Sequence, residues 1–101
     1  MTLDELFDDA IWVCKVLFDR KIVTGSSANM SFKHENRIYI TGSNTCFGRL
    51  TKDSFAVLNQ DEVLSSIKPS KELPLHKYLY ENCPNANAVI HTHSTFATYW
   101  S

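Results

Sequence analysis

The hydrophobic period of this chain changes once, and that change limits what the chain can fold into. Apolar side chains recur at Leu3, Leu6, Phe7, Ala10, Ile11, Cys14, Leu17 and Phe18. Steps of three and four residues draw a single stripe along an amphipathic helix from residue 3 to about residue 20. Thr2-Leu3-Asp4-Glu5 supplies its start, a hydroxyl followed three residues later by a carboxylate, as in a capping box. A stripe of this kind is core packing and not a site. After it the helical period gives way to short apolar runs between polar turns. Met30–Phe32, Arg37–Thr41, Phe55–Leu58 and Ala88–His91 read as short strands, with Ile38 and Ile40 on one face of the second.

The turns divide these strands. His34-Glu35-Asn36 joins the first two, Thr41-Gly42-Ser43-Asn44 follows the second, and Asn59-Gln60-Asp61-Glu62 turns the chain back after the third. Lys68-Pro69-Ser70-Lys71-Glu72 opens a second helix. It accepts Pro74 early, where the missing N–H would be unpaired anyway, and ends at Asn82-Cys83-Pro84. Ser94 to Ser101 reads as a third helix, a hydroxyl cap followed by apolar residues. The chain stops on that segment, with Phe96, Tyr99 and Trp100 left to be covered, so the sequence is expected to be truncated or a gene fragment. With no repeat, low-complexity tract or linker, the chain is one domain or part of one.

Composition narrows the partners. The chain has 101 residues, 44% of them hydrophobic and 12% aromatic, enough for one small domain with a modest core. A net charge of −1, with acids and bases interspersed, leaves no electrostatic footprint for nucleic acid or an anionic membrane. Cys14, Cys46 and Cys83 are odd in number and widely spaced, as expected of reduced thiols. No leader or long apolar stretch is present, which makes the cytoplasm the default location.

Chemistry concentrates at the turns. His91-Thr92-His93 follows the apolar run Ala88-Val89-Ile90. In a strand, residues i and i+2 share a face about 7 Å apart, so two imidazoles could close on one divalent ion with a carboxylate such as Glu72 as third ligand. Ordinary strand-end histidines satisfied by hydrogen bonds have the same spacing. The turns at Ser26–Asn29, Thr41–Asn44 and Lys68–Glu72 carry hydroxyls and backbone N–H groups that suit an anion, and Lys71 adds a cation. Each turn is also explained by capping alone. Glu72 either complements a helix dipole or serves as ligand and general acid/base. His76, one turn on, is expected at the helix surface or an interface. His34, in the hairpin turn, is expected in solvent.

Taken together, Thr24-Gly-Ser-Ser-Ala-Asn-Met-Ser31, Thr41-Gly-Ser-Asn44, Lys68-Pro-Ser-Lys-Glu-Leu-Pro-Leu-His76 and Ala88-Val-Ile-His-Thr-His-Ser94 resemble, in order, the class II aldolase/adducin family. The likeness covers residues 1–101, as the N-terminal part of a single family domain. It implies an α/β fold of three layers, α/β/α, with a largely antiparallel central sheet, here truncated. It implies one divalent ion per subunit, usually zinc, and a phosphorylated sugar or sugar-acid substrate, in an enzyme that is commonly a homo-tetramer. By motif match, Asn29, Ser43 and Ser70 fall where the family binds phosphate; Lys71, read from its own turn, is expected to add a cation for the same phosphate. Glu72 falls on the acid/base carboxylate, and His91 and His93 on two of the metal-binding histidines, with Glu72 expected as a further ligand from its position.

Three positions depart from the family. Ala28 stands where a glycine is usual, Lys71 where the aldolases have a second serine, and the third metal histidine belongs to a later part of the family's domain. Lys-Pro-Ser-Lys-Glu with its Leu-His helix looks most like the 3-oxo-tetronate 4-phosphate decarboxylase branch, and Glu72 disfavours the epimerase branch. The expectation is therefore a metal-dependent lyase. The runner-up is a sugar-phosphate aldolase resembling fuculose-phosphate aldolase, since both reactions leave an enediolate that a metal stabilises. Behind these stand a non-catalytic, adducin-like scaffold and an inactive fragment.

Overall fold

The computed structural model describes residues 1–23, 28–60, 62–92 and, as a strand, 96–100. The helix of the N-terminal stripe is α1, Leu3–Asp19. Its capping box is formed: Thr2 Oγ1 accepts from Glu5 N (3.2 Å), and Thr2 N donates to Glu5 Oε1 (3.0 Å). Strands β1 (Asn29–His34) and β2 (Arg37–Thr41) follow, then β3 (Phe55–Asn59), β4 (Glu62–Val63), helix α2 (Leu73–Asn82), β5 (Ala86–His91) and β6 (Phe96–Trp100). The β1–β2 connection is a two-residue turn in which Glu35 and Asn36 both have positive φ (48° and 68°). That backbone matches the twist of a tight hairpin.

The strands form one sheet in the order β4-β3-β2-β1-β5-β6, with every neighbouring pair antiparallel. Alternation along β1 divides the layers. Met30 and Phe32 join the core that α1 supplies through Phe7, Ala10 and Cys14, together with Tyr39, Phe55 and Ile90. On the opposite face Ile40, Ala56 and Leu58 cluster with Ile38, Ile67 and Leu73, while Leu79 and Tyr80 of α2 pack on Val89. The chain is thus a three-layer α/β/α structure around an antiparallel sheet. No described helix is long and apolar enough to cross a membrane.

Three expectations change. Residues 96–100 are a strand and not a helix, paired to β5 with His91 opposite Phe96. Aromatic and β-branched residues (Phe, Thr, Tyr, Trp) favour a pleated surface, and the open edge of β5 offers a row of backbone partners that outweighs the cap signal. His34 is the last residue of β1, with its side chain only 21% exposed, because the turn itself is Glu35-Asn36. The second helix begins at Leu73, so Glu72 is its N-cap residue, without a side-chain capping bond.

The ring of Phe7 meets Phe32, Tyr39 and Phe55 edge-on at 5.3, 5.5 and 5.3 Å, which makes it the contact that ties α1 to three strands. Phe7→Ala is expected to cost about 3–5 kcal/mol, read as a lower urea midpoint. Trp12→Ala, at a side chain on the same helix that is 67% exposed, should stay within about 0.5 kcal/mol of the parent.

Candidate functional site

Main-chain hydrogen bonds bring two of the polar turns together. Ser43 N donates to Lys68 O (2.9 Å), Ser70 N donates to Thr41 O (3.1 Å), and Gly42 N donates to Ser54 O (2.8 Å). Gly42 also bridges Pro69. A Cβ on Gly42 would stand 2.6 Å from Ile67 Cγ2 and 3.2 Å from Ser54 O, so the close approach requires glycine. With Ala28, Asn29 and His91 closing the other side, these turns enclose an open, polar cavity of about 250 Å³. Ser43, Ser70, Lys71 and Glu72 all line it.

Strand register supplies the far wall. Asn29 of β1 lies directly opposite His91 of β5, and Ser31 opposite Val89, so Asn29, Ser31 and His91 share the face that α2 covers. Asn29 is 7% exposed, and Ser31 and His76 are 0% exposed. A buried hydrogen-bond chain joins them. His76 Nε2 lies 2.5 Å from Asn29 Oδ1. A carboxamide oxygen can only accept, so Nε2 carries the proton. Burial, with the charge of His91 as a second cause, holds the His76 pKa down to about 4, so the ring is neutral and Nδ1 is an acceptor. Ser31 Oγ then donates to His76 Nδ1 (2.6 Å), and Tyr80 OH donates to Ser31 Oγ (2.7 Å). At the cavity end Asn29 Nδ2 donates to His91 Nδ1 (3.4 Å).

His91 Nδ1 also faces Glu72 Oε2 at 3.9 Å. The 3.9 Å gap is one that a single cation could span, taking the Nδ1 lone pair in place of the long Asn29 contact. Zinc takes carboxylate oxygen and imidazole nitrogen at about 2.0–2.2 Å, so this pair suits a shared ion by donor type and spacing. Among the described residues no third His, Cys, Asp or Glu joins the pair. His93 lies outside the described residues, as do Thr24 to Ser27 of the first polar turn.

The comparisons with known proteins agree with this architecture. The model for the class II aldolase and adducin N-terminal domain matches residues 8–101. The chain belongs to the class II aldolase and adducin family. It is 40% identical over 91 residues to the L-fuculose phosphate aldolase of Methanococcus vannielii, covering 90% of this chain and 50% of that protein. It is 36% identical over 88 residues to the 3-oxo-tetronate 4-phosphate decarboxylase of Escherichia coli O6:H1, covering 85% of this chain and 42% of that one. The solved structure of YgbL from Klebsiella pneumoniae superposes with a TM-score of 0.86 at 32% identity, over 93% of this chain and 46% of that chain. The chain therefore spans about half the length of the curated relatives it matches.

Within this class II aldolase-type fold, Asn29, Ser43, Ser70, Lys71, Glu72 and His91 meet at one cavity. The placement of His76 corrects the sequence reading: it is fully buried, not on the helix surface. The signal was present, because positions 76, 79 and 80 lie on one helical face whose other members, Leu79 and Tyr80, are core residues.

His76 makes stability depend on pH. Its folded pKa of about 4 lies below the ordinary value of 6.5, so the unfolded chain takes up a proton that the fold excludes. The contribution is complete above pH 6.5 and is lost as pH falls from there toward about 4. Denaturant titrations across this window should show the parent losing up to about 1.4 kcal/mol per pH unit more than His76→Gln. Equal slopes would show that His76 titrates normally in the fold.

Proposed function

We propose that residues 1–101 form the N-terminal part of a class II aldolase/adducin-like domain, and that the protein it belongs to is a metal-dependent carbon–carbon lyase. Its substrate would be a phosphorylated sugar acid, with decarboxylation of a 3-oxo-tetronate 4-phosphate as the reaction. The observation that carries this is the facing of Glu72 Oε2 and His91 Nδ1 at 3.9 Å in a cavity also lined by Asn29, Ser43, Ser70 and Lys71. A carboxylate beside an imidazole suits a divalent ion, and amide, hydroxyl and ammonium donors suit phosphate oxygens.

In this proposal Glu72, His91 and His93 hold the ion, zinc before other divalent metals. When bound, it supplies Lewis-acid polarisation of the substrate carbonyl. The protein's own groups do the remainder. Asn29, Ser43, Ser70 and Lys71 bind and orient the phosphate, so that the bond to be broken lies over Glu72. Breaking the carbon–carbon bond next to the carbonyl would release the carboxylate as carbon dioxide and leave the electron pair as an enediolate, and Glu72, having taken up a proton from solvent, would deliver it to that carbon. Lys71 favours a substrate with two anionic groups, a phosphate and a carboxylate. An aldolase is the second reading, supported by the 40% identity to an L-fuculose phosphate aldolase. A purely structural, adducin-like role gives no reason for a carboxylate and an imidazole to face each other across a polar cavity.

A hybrid tests both readings, with residues 8–101 replacing the matching half of the Methanococcus vannielii protein. Release of carbon dioxide from 3-oxo-tetronate 4-phosphate is expected, and Glu72→Gln should lower kcat by about 10²–10⁴-fold. Lys71→Met should raise KM about tenfold while zinc content is unchanged. Aldehyde release from L-fuculose 1-phosphate without carbon dioxide would select the second reading. A folded, zinc-loaded hybrid that does neither would overturn both.

A further inference from the structure

We propose that His76 is a positioning residue: it fixes the carboxamide of Asn29 so that the NH₂ group, and not the oxygen, faces the cavity and His91. This deepens the proposed function, on which only its anion-binding half rests. The two ends of a carboxamide have nearly the same shape, so packing alone discriminates weakly between its orientations and hydrogen bonds must choose. Here the choice is made in the interior. His76 is 0% exposed and does not line the cavity, yet each of its ring nitrogens has a hydrogen-bond partner. Tyr80 OH and Ser31 Oγ lie 2.7 Å apart, Ser31 Oγ lies 2.6 Å from His76 Nδ1, and His76 Nε2 faces Asn29 Oδ1; in the proposal the bonds run from Tyr80 through Ser31 to Nδ1, which leaves the imidazole proton on Nε2.

The direction of this chain has consequences at its exposed end. With Oδ1 engaged and no ion bound, Nδ2 turns toward His91 Nδ1 (3.4 Å), which favours the tautomer with its proton on Nε2 and keeps the Nδ1 lone pair for an ion that would displace this contact. It also turns a donor toward the space where anionic oxygens would sit. The flipped carboxamide would set a carbonyl oxygen against those anions and against the acceptor nitrogen of His91. A leucine at position 76 would fill the same core and lose this selection. Histidine in place of an aliphatic residue is therefore explained by what it does to Asn29.

The test uses residues 1–101 labelled with ¹⁵N in histidine and asparagine, with no metal added. Long-range ¹H–¹⁵N spectra sort pyridine-like from pyrrole-like ring nitrogens. The parent should show a pyridine-like Nδ1 and a pyrrole-like Nε2 at His76, and a pyridine-like Nδ1 at His91. In His76→Leu the His91 ring should become a mixture of tautomers, and the Asn29 NH₂ signals should broaden or average. Its dissociation constant for inorganic phosphate should rise about tenfold. His76→Gln, whose amide can donate to Oδ1 and accept from Ser31, should restore both properties.

Unchanged Asn29 and His91 signals in a folded His76→Leu protein would overturn the assignment. So would a pyridine-like His76 Nε2 in the parent, which decides the matter even if the leucine variant does not fold. If the parent binds no phosphate, the anion half of the proposed function fails, while the tautomer signals still decide the orientation.

Discussion

The antiparallel pairing of β1 with β5 holds the cavity wall together. Its register sets Asn29 against His91 and Ser31 against Val89, and sends Met30 and Ile90 to the α1 side. Side chains alternate with a period of two, so a slip of one residue would move Asn29 into the apolar layer and Met30 into the cavity. The register is fixed from both faces. The Phe7 aromatic cluster rewards Met30 and Phe32 for facing α1, and the buried polar chain rewards Asn29 and Ser31 for facing α2. Cavity-lining and core-forming residues are specified by the same pairing.

Burying that polar chain carries a risk that the geometry meets. An unsatisfied hydroxyl or imidazole in the interior costs about 1–3 kcal/mol, comparable with a well-packed methylene or two. Among the described residues no buried side-chain nitrogen or oxygen lacks a partner. Tyr80 OH, Ser31 Oγ, both nitrogens of His76 and Oδ1 of Asn29 are all engaged. Such a chain is directional: once the imidazole proton is placed, every other hydrogen in it has one arrangement. Burial also pushes the Tyr80 phenol well above its usual range, so its end of the chain stays protonated.

Much of this was legible in the residues. The stripe from Leu3 to Phe18, the Thr2–Glu5 box, the Pro74 position and the β1–β2 turn each depend on local chemistry, and local chemistry is written in consecutive residues. That Ser43, Ser70, Glu72 and His91 line one cavity agrees with the order of the motifs, and Lys71 was expected there from its own turn. What escaped depended on contacts across the sheet. His76 is a polar residue on an apolar face, and only the rotation of α2 against β1 and β5 shows that partners await it. Phe96–Trp100 carries a helix-like start, and pairing with β5 decided it otherwise.

The join at Gly42 has a different kind of consequence. The two turns forming the cavity rim are stitched by backbone groups of Thr41, Ser43, Lys68 and Ser70, with Ile67 and the Lys68 carbonyl close to where a Cβ on Gly42 would stand. The side chains of Ser43 and Lys71 therefore carry none of the load of holding that rim. They can be exchanged over evolutionary time without loosening the enclosure, as long as position 42 stays bare. A change of rim side chain would therefore alter the chemistry that the cavity presents while leaving its shape to the backbone, with the bare position 42 as the anchor.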